Sequence, residues 1–123
     1  GDGWLASWCS PRRFAEGVAL AGQAAVEAGR TDVAWRHGYQ VWVGLGDSPA
    51  EGAGVLAPAM ERFYGTAYSA FEKYSPVGTP ADIAAWLRPF VEAGAVDFNL
   101  APIAATDSER ISGAAEIRHL LLG

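Results

Sequence analysis

The stretch from Gly78 to Ala105, GTPADIAAWLRPFVEAGAVDFNLAPIAA, constrains this chain most: it spells a capped helix, a tight turn and a buried strand in succession. Thr79 reads as an N-cap whose hydroxyl accepts from an unpaired N–H of the first turn. Pro80 follows at the first helical position, where a missing N–H costs nothing, and Asp82 places negative charge near the positive helix end. Ile83, Leu87, Phe90 and Val91 recur at helical spacing as one apolar stripe. Pro89 within it is expected to kink the helix or loosen its last turns. Gly94 reads as the left-handed stop, and Val96 to Leu100 as a short strand that Pro102 limits. A helix turning on Gly into an apolar strand is the αβ half of a βαβ unit, so a parallel sheet is expected.

The same grammar recurs upstream. Ser10-Pro11 opens a predicted helix from about Pro11 to Ala28, with Phe14, Val18, Ala21, Ala25 and Ala28 on one face and Gly29 as its stop. Trp35 to Gly46 is the second predicted strand. Tyr39, Val41 and Val43 alternate with Gln40, Trp42 and Gly44, so both faces are largely apolar, as in a parallel strand covered on both sides. Asp47-Ser48-Pro49 starts a helical region from about Ala50 to Phe71, weakened early by Gly52, Gly54 and Pro58. Tyr74 to Gly78 reads as a break. Gly1 to Leu5 reads as the end of a strand followed by a loop. Ala104 to Ser108 reads as a loop, and Asp107 or Ser108 as the cap of a last helix running to Leu122. The predicted order is (β)α–β–αα–β–α.

Composition narrows the function classes. A chain of 123 residues suits one domain, here residues 1–123, and is too short for two. A formal net charge of −5 leaves no basic stripe to neutralise phosphates, which argues against a nucleic-acid partner. No apolar run approaches the roughly 20 residues that span a bilayer, so no membrane partner is expected. Cys9 is the single cysteine and cannot form an internal disulfide, which fits a reducing cytoplasm. Neither His37 nor His119 has a metal-ligand partner at useful spacing, so no metal site is expected. No HExxH, CxxC, P-loop or nucleophile elbow is present, and no catalytic residue is assigned. The opening on Gly1-Asp2-Gly3-Trp4, without an initiator Met, reads as the interior of a longer sequence.

Three stretches taken in order resemble the C-terminal part of the luciferase-like family of flavin- or deazaflavin-dependent oxidoreductases and monooxygenases. They are Gly1-Asp2-Gly3-Trp4; the helix ending Glu27-Ala28-Gly29-Arg30 with the strand after it; and Tyr74…Gly78-Thr79-Pro80 followed by Phe90 to Ala95 and Phe98-Asn99-Leu100. The resemblance implies an α/β fold that is the C-terminal portion of a TIM (β/α)8 barrel, about three to four βα units with parallel strands. A whole barrel takes about 250 residues. The chain is therefore expected to be a segment of such an enzyme, inactive alone, whose parent binds FMN or the deazaflavin coenzyme F-420 and a small-molecule substrate. The alternative reading is a non-catalytic α/β module that self-associates through exposed sheet edges, because an open arc of strands leaves backbone groups unpaired. A homo-oligomer is expected on either reading.

In a barrel, chemistry sits at the C-terminal strand ends. By the resemblance, those ends are Asp2 to Trp4, Gly44 to Asp47 and Asn99 to Pro102, and the cofactor-binding candidates are Asp2, Trp4, Gly44 and Asn99. Each has a plainer alternative. Asp2 either positions a cofactor group or caps a turn. Trp4 and Trp8 either line a ring pocket or pack between helix and sheet. Gly44 and Gly46 either bring N–H groups to an anion or make a tight turn. Asn99 either hydrogen-bonds a ring edge in the barrel mouth or satisfies a neighbouring backbone group.

Overall fold

The computed structural model describes residues 1–123. In chain order the elements are β1 (Leu5–Ala6), α1 (Pro11–Glu27), β2 (His37–Leu45), α2 (Pro49–Tyr64), β3 (Val77–Gly78), α3 (Pro80–Glu92), β4 (Ala95–Ile103) and α4 (Asp107–Leu122). Two single 3-10 turns, Tyr68–Ala70 and Glu72–Tyr74, separate α2 from β3. All four strands form one sheet, and every pairing is parallel.

Helix boundaries follow local chemistry. Ser10, Ser48 and Thr79 cap α1, α2 and α3, each side chain accepting from the third helical N–H, and each is followed by Pro. Thr79 and Asp82 form a reciprocal capping box: the Thr79 N–H donates to the Asp82 carboxylate at 3.0 Å and the Asp82 N–H to the Thr79 hydroxyl at 3.2 Å. One strand and three boundaries differ from the sequence reading: β3 forms within the segment read as a break, where Gly44 and Gly46 donate to the Pro76 and Gly78 carbonyls at 3.1 and 3.0 Å. First, α2 stops at Tyr64, because Gly65 takes a left-handed φ of 65° and its N–H closes on the Glu61 carbonyl. Second, the cap of α4 is Thr106, whose hydroxyl accepts from Glu109 at 3.1 Å, and not Asp107 or Ser108. Third, β4 runs through Pro102 to Ile103.

The sheet explains why Pro102 does not end β4. Gly38 and Gly44 donate their N–H groups to Trp4 and Pro76, on the side of β2 away from β4. The alternate residues of β2 therefore face β4. In the observed register, Phe98, Leu100 and Pro102 turn their backbone groups away from β2. No strand pairs with β4 there, so the N–H that Pro102 lacks removes no ladder bond.

β4 lies along one edge of β2 from His37 to Gly44. β1 and β3 share the other edge end to end, β1 opposite Gly38 and Tyr39, β3 opposite Gly44 and Leu45. Between them, β2 residues 40–43 have no strand on that edge. The two faces of β2 meet different helices. On one face Tyr39 stacks on Phe90 at 4.0 Å between centroids and meets Phe14 edge-on at 6.2 Å, while Leu45 lies under Gly113 of α4. That face, with Val41, Val43, Ile83, Leu87 and Ile117, is the main core. On the other face Trp42 meets Phe63 and Tyr64, and Gly44 meets Gly52 and Leu56. So α2 lies opposite α1, α3 and α4. The cause is handedness: the connection from β2 back to β3 crosses the sheet in the reverse direction, and a right-handed crossover then places its helix on the other side. A barrel carries its helices in one outer ring; here α1, α3 and α4 share one side of the sheet and α2 departs from it.

The uncovered part of the α2 face is polar. Asn99 donates to the Gln40 side-chain carbonyl at 3.3 Å across the strands, and Arg36 reaches Asp97 with two hydrogen bonds of 2.8 and 3.2 Å. No helix is long and apolar enough to cross a membrane.

Candidate functional site

Loops that leave the C-terminal ends of parallel strands carry chemistry in α/β folds. Here these are Ser7 to Ser10 after β1, Gly46 to Ser48 after β2, Thr79 after β3 and Ala104 to Thr106 after β4.

The four sequence candidates do not converge on them. The Asp2 carbonyl accepts from Arg36 at 3.0 Å, so pairing with the β2 segment has begun before β1 proper. Residues 1–4 thus run into β1 from the N-terminal end of the sheet, not out of a strand at its C-terminal end. The Asp2 carboxylate pairs there with Arg30. Trp4 is half-buried under α1, stacked on Phe14 at 5.4 Å, and its N–H donates to His37 Nδ1 at 3.2 Å. Gly44 is filled on its open side by Gly52 and Leu56 of α2, and Gly46 by Glu51. Asn99 stands at mid-strand beside Gln40. His37 is buried at the start of β2 beneath Trp35.

Three recesses open among the C-terminal loops. An open cleft of about 730 Å³ runs along α1, lined by Trp4, Ser7, Trp8, Cys9, Arg13 and Tyr74 among others. Burial pushes the Cys9 thiol up, against a smaller downward pull from Arg13, so at neutral pH it is a thiol and not an activated thiolate. A second cleft of about 680 Å³ lies between the starts of α2 and α3 and the first turns of α4. Asp47, Glu51, Glu109 and Glu116 line it, an environment that repels anions.

The third recess is a slot of about 10 Å³ over the stretch of β2 that is unpaired on its β1/β3 edge. Ser7, Gln40, Tyr64 and Tyr74 bring polar groups to it, and Trp8 and Trp42 form its aromatic rim. Trp8 is the only non-glycine residue with positive φ, 54°. That conformation is costly for a bulky residue. It seats the indole 5.0 Å from Phe71 and 5.9 Å from Tyr64. Trp42 donates its indole N–H to the Tyr64 hydroxyl at 2.9 Å. Sequence reasoning missed Gln40, Trp42, Tyr64 and Tyr74 as a set. The available signal was parity: Gln40 and Trp42 share a strand face with each other, and in the observed register with Asn99.

A flavin or deazaflavin needs donors for its phosphate-bearing tail. Each helix start here spends its third N–H on its own cap, the glycines after β2 are filled by α2, and Arg13, the cation on the aromatic cleft, is already paired with Glu16 at 3.7 Å. The residues of this chain by themselves therefore do not fit that tail. They offer aromatic walls, uncharged donors and one guanidinium that Glu16 already neutralises. No group of three or more His, Cys, Asp or Glu side chains is placed to hold a metal ion.

No family model matches the sequence, and no curated protein matches it. Among solved structures the chain is similar to an F-420-dependent secondary alcohol dehydrogenase in complex with an F-420–acetone adduct, at a TM-score of 0.75 and 17% identity. The match covers 98% of this chain and 43% of that one, so the chain spans less than half of that enzyme's length. What the likeness carries is a shared fold: this parallel sheet and its helices follow the course of part of that dehydrogenase.

Proposed function

We propose that this chain is the C-terminal portion of a luciferase-like oxidoreductase barrel, of the flavin- or deazaflavin-dependent kind, and that it acts together with the strands that complete the barrel. The observation that carries this reading is the fold match over 98% of the chain to 43% of an F-420-dependent enzyme. The bare edge of β4 and the absence of a phosphate cradle support it: both ask for further strands and loops. In the completed enzyme, F-420 or FMN would carry hydride or oxygen chemistry on a small-molecule substrate. This segment would supply closing strands and one wall of the substrate side, and alone it would be inactive. Of the two cofactors, the dehydrogenase neighbour favours the deazaflavin.

A second reading rests on that same bare edge. Phe98 and Leu100 offer unpaired N–H and C=O groups, which a second copy can pair with. This makes the chain a self-associating, non-catalytic α/β module. Co-expression with a polypeptide that supplies the remaining barrel strands separates the two. The first reading expects the complex to bind F-420 or FMN, seen as quenched cofactor fluorescence, and the chain alone to bind neither. A defined homodimer that ignores the added strands, with no cofactor bound, overturns it in favour of the second.

A further inference from the structure

We infer that the slot between β1 and β3 is a binding site for a single uncharged oxygen, the hydroxyl or carbonyl of a small alcohol or ketone, with Tyr64 as the donor that holds it. The inference rests on the proposed function only in naming that ligand a substrate; the binding itself is a property of this chain.

Three observations lead there. The first is the direction of the hydrogen bond between Trp42 and Tyr64. An indole N–H has no lone pair and can only donate. At 2.9 Å it occupies the acceptor side of the Tyr64 oxygen, which leaves the phenol O–H to donate elsewhere. Tyr64 is 38% exposed, so that proton points to solvent or to a ligand.

The second is size. The slot measures about 10 Å³, roughly the space of one water. One oxygen atom fits it. A carboxylate or a phosphate, with two or more oxygens in a rigid group, does not.

The third is charge and surroundings. No Asp, Glu, His, Lys or Arg side chain lines the slot: its polar residues are Ser7, Gln40, Tyr64 and Tyr74. A charged ligand would gain no counter-ion there. The carbon skeleton of an alcohol or ketone would lie against Trp8 and Trp42, whose rings supply apolar area. Trp8 stands on the boundary between the slot and the larger cleft along α1, lining both. Its strained backbone marks it as the side chain whose displacement widens the slot.

The test uses the full chain and three probes of similar shape: cyclohexanol, cyclohexanone and cyclohexanecarboxylate. The reading is the NMR signal of the Trp42 indole N–H during titration. Cyclohexanol and cyclohexanone are expected to shift it saturably, and the carboxylate is expected not to. Tyr64→Phe keeps the ring and removes the donor, and is expected to weaken cyclohexanone binding about tenfold. Trp8→Ala is expected to change the affinity for the ring skeleton equally for alcohol and ketone. The inference is overturned if no probe shifts Trp42, if the carboxylate binds as well as the ketone, or if Tyr64→Phe binds unchanged. Cofactor binding by the completed barrel is read separately, by cofactor fluorescence. A barrel that binds F-420 while Trp42 stays silent sinks this inference alone; a saturable Trp42 shift in a chain that never assembles a cofactor site leaves the slot standing and sinks the oxidoreductase reading.

Discussion

Gly44 and Gly52 lie back to back where α2 crosses β2. A Cβ on Gly44 would overlap the Gly52 carbonyl oxygen and stand 2.7 Å from Cβ of Leu56. The close approach lets a helix lie directly on the strand, and it fixes the depth at which Leu56 and Met60 become fully buried. Gly44→Ala is therefore expected to destabilise the chain by about 2 kcal/mol through overpacking, measured by urea unfolding. Gly54, on the same helix, faces open space. Gly54→Ala is expected to stabilise by about 1 kcal/mol, so the pair separates crowding from helix propensity.

The Thr79–Asp82 capping box anchors the start of α3, whose Ile83, Leu87 and Phe90 are fully buried in the main core. Thr79→Ala is expected to cost about 1 kcal/mol, and Thr79→Ser much less, because the hydroxyl is what the Asp82 N–H uses. Chemical denaturation of the three proteins side by side checks the order.

Tyr39 is fully buried, and burial pushes its phenol up to about 12, while its O–H donates to the Cys9 carbonyl at 3.1 Å. The folded-state value lies above the unfolded one, so folding favours the protonated phenol. Its contribution is complete below about pH 10 and is lost as pH rises through about 12. The loss amounts to about 2–3 kcal/mol across that window. Urea midpoints between pH 8 and 12 are expected to fall steeply in the native chain. In Tyr39→Phe the fall should be shallower, with a residual slope from Tyr68, whose phenol burial also raises. An equal slope in both proteins would exclude Tyr39 as the cause.

Pro102 withholds one N–H from the bare edge of β4. Pro102→Val restores it and lengthens the run of pairing groups that begins at Phe98. The expected outcome is stronger self-association, visible as a larger dimer fraction at equal concentration in sedimentation velocity. Unchanged sedimentation would mean that this edge is not where copies meet.

Much of the fold was legible in local chemistry. Ser10-Pro11, Ser48-Pro49 and Thr79-Pro80 each mark a helix start, because a cap and a missing N–H act within one turn. Gly29 and Gly94 mark stops, both with positive φ as observed. The alternation in β2 announced a strand covered on both faces, and parallel pairing followed from the helix-to-strand turn at Gly94. The edge position of Pro102 was not legible, since whether a proline breaks a strand depends on which neighbour its nitrogen faces.

The candidate site was less legible. Asp2 and Trp4 were placed at the C-terminal end of a strand; the structure has them entering the sheet at its N-terminal end, because pairing with the β2 segment already begins at Asp2. Gly44 was read as either offering an N–H to an anion or making a tight turn; it is a strand residue that α2 covers. Tyr64 and Trp42 lie 22 residues apart, and only the packing of α2 on β2 brings them together.

The amino-acid order by itself determined where α1, α2 and α3 begin, where α1 and α3 stop and that the pairing is parallel, since caps, prolines and alternating side chains act over a few residues. Only the tertiary structure decided that α2 crosses to the far face, that β1 and β3 leave a gap on β2, and that Trp42 and Tyr64 close over it. Those outcomes depend on the handedness of a long connection and on side chains brought together across the sheet, and neither is written in the spacing of neighbours along the chain.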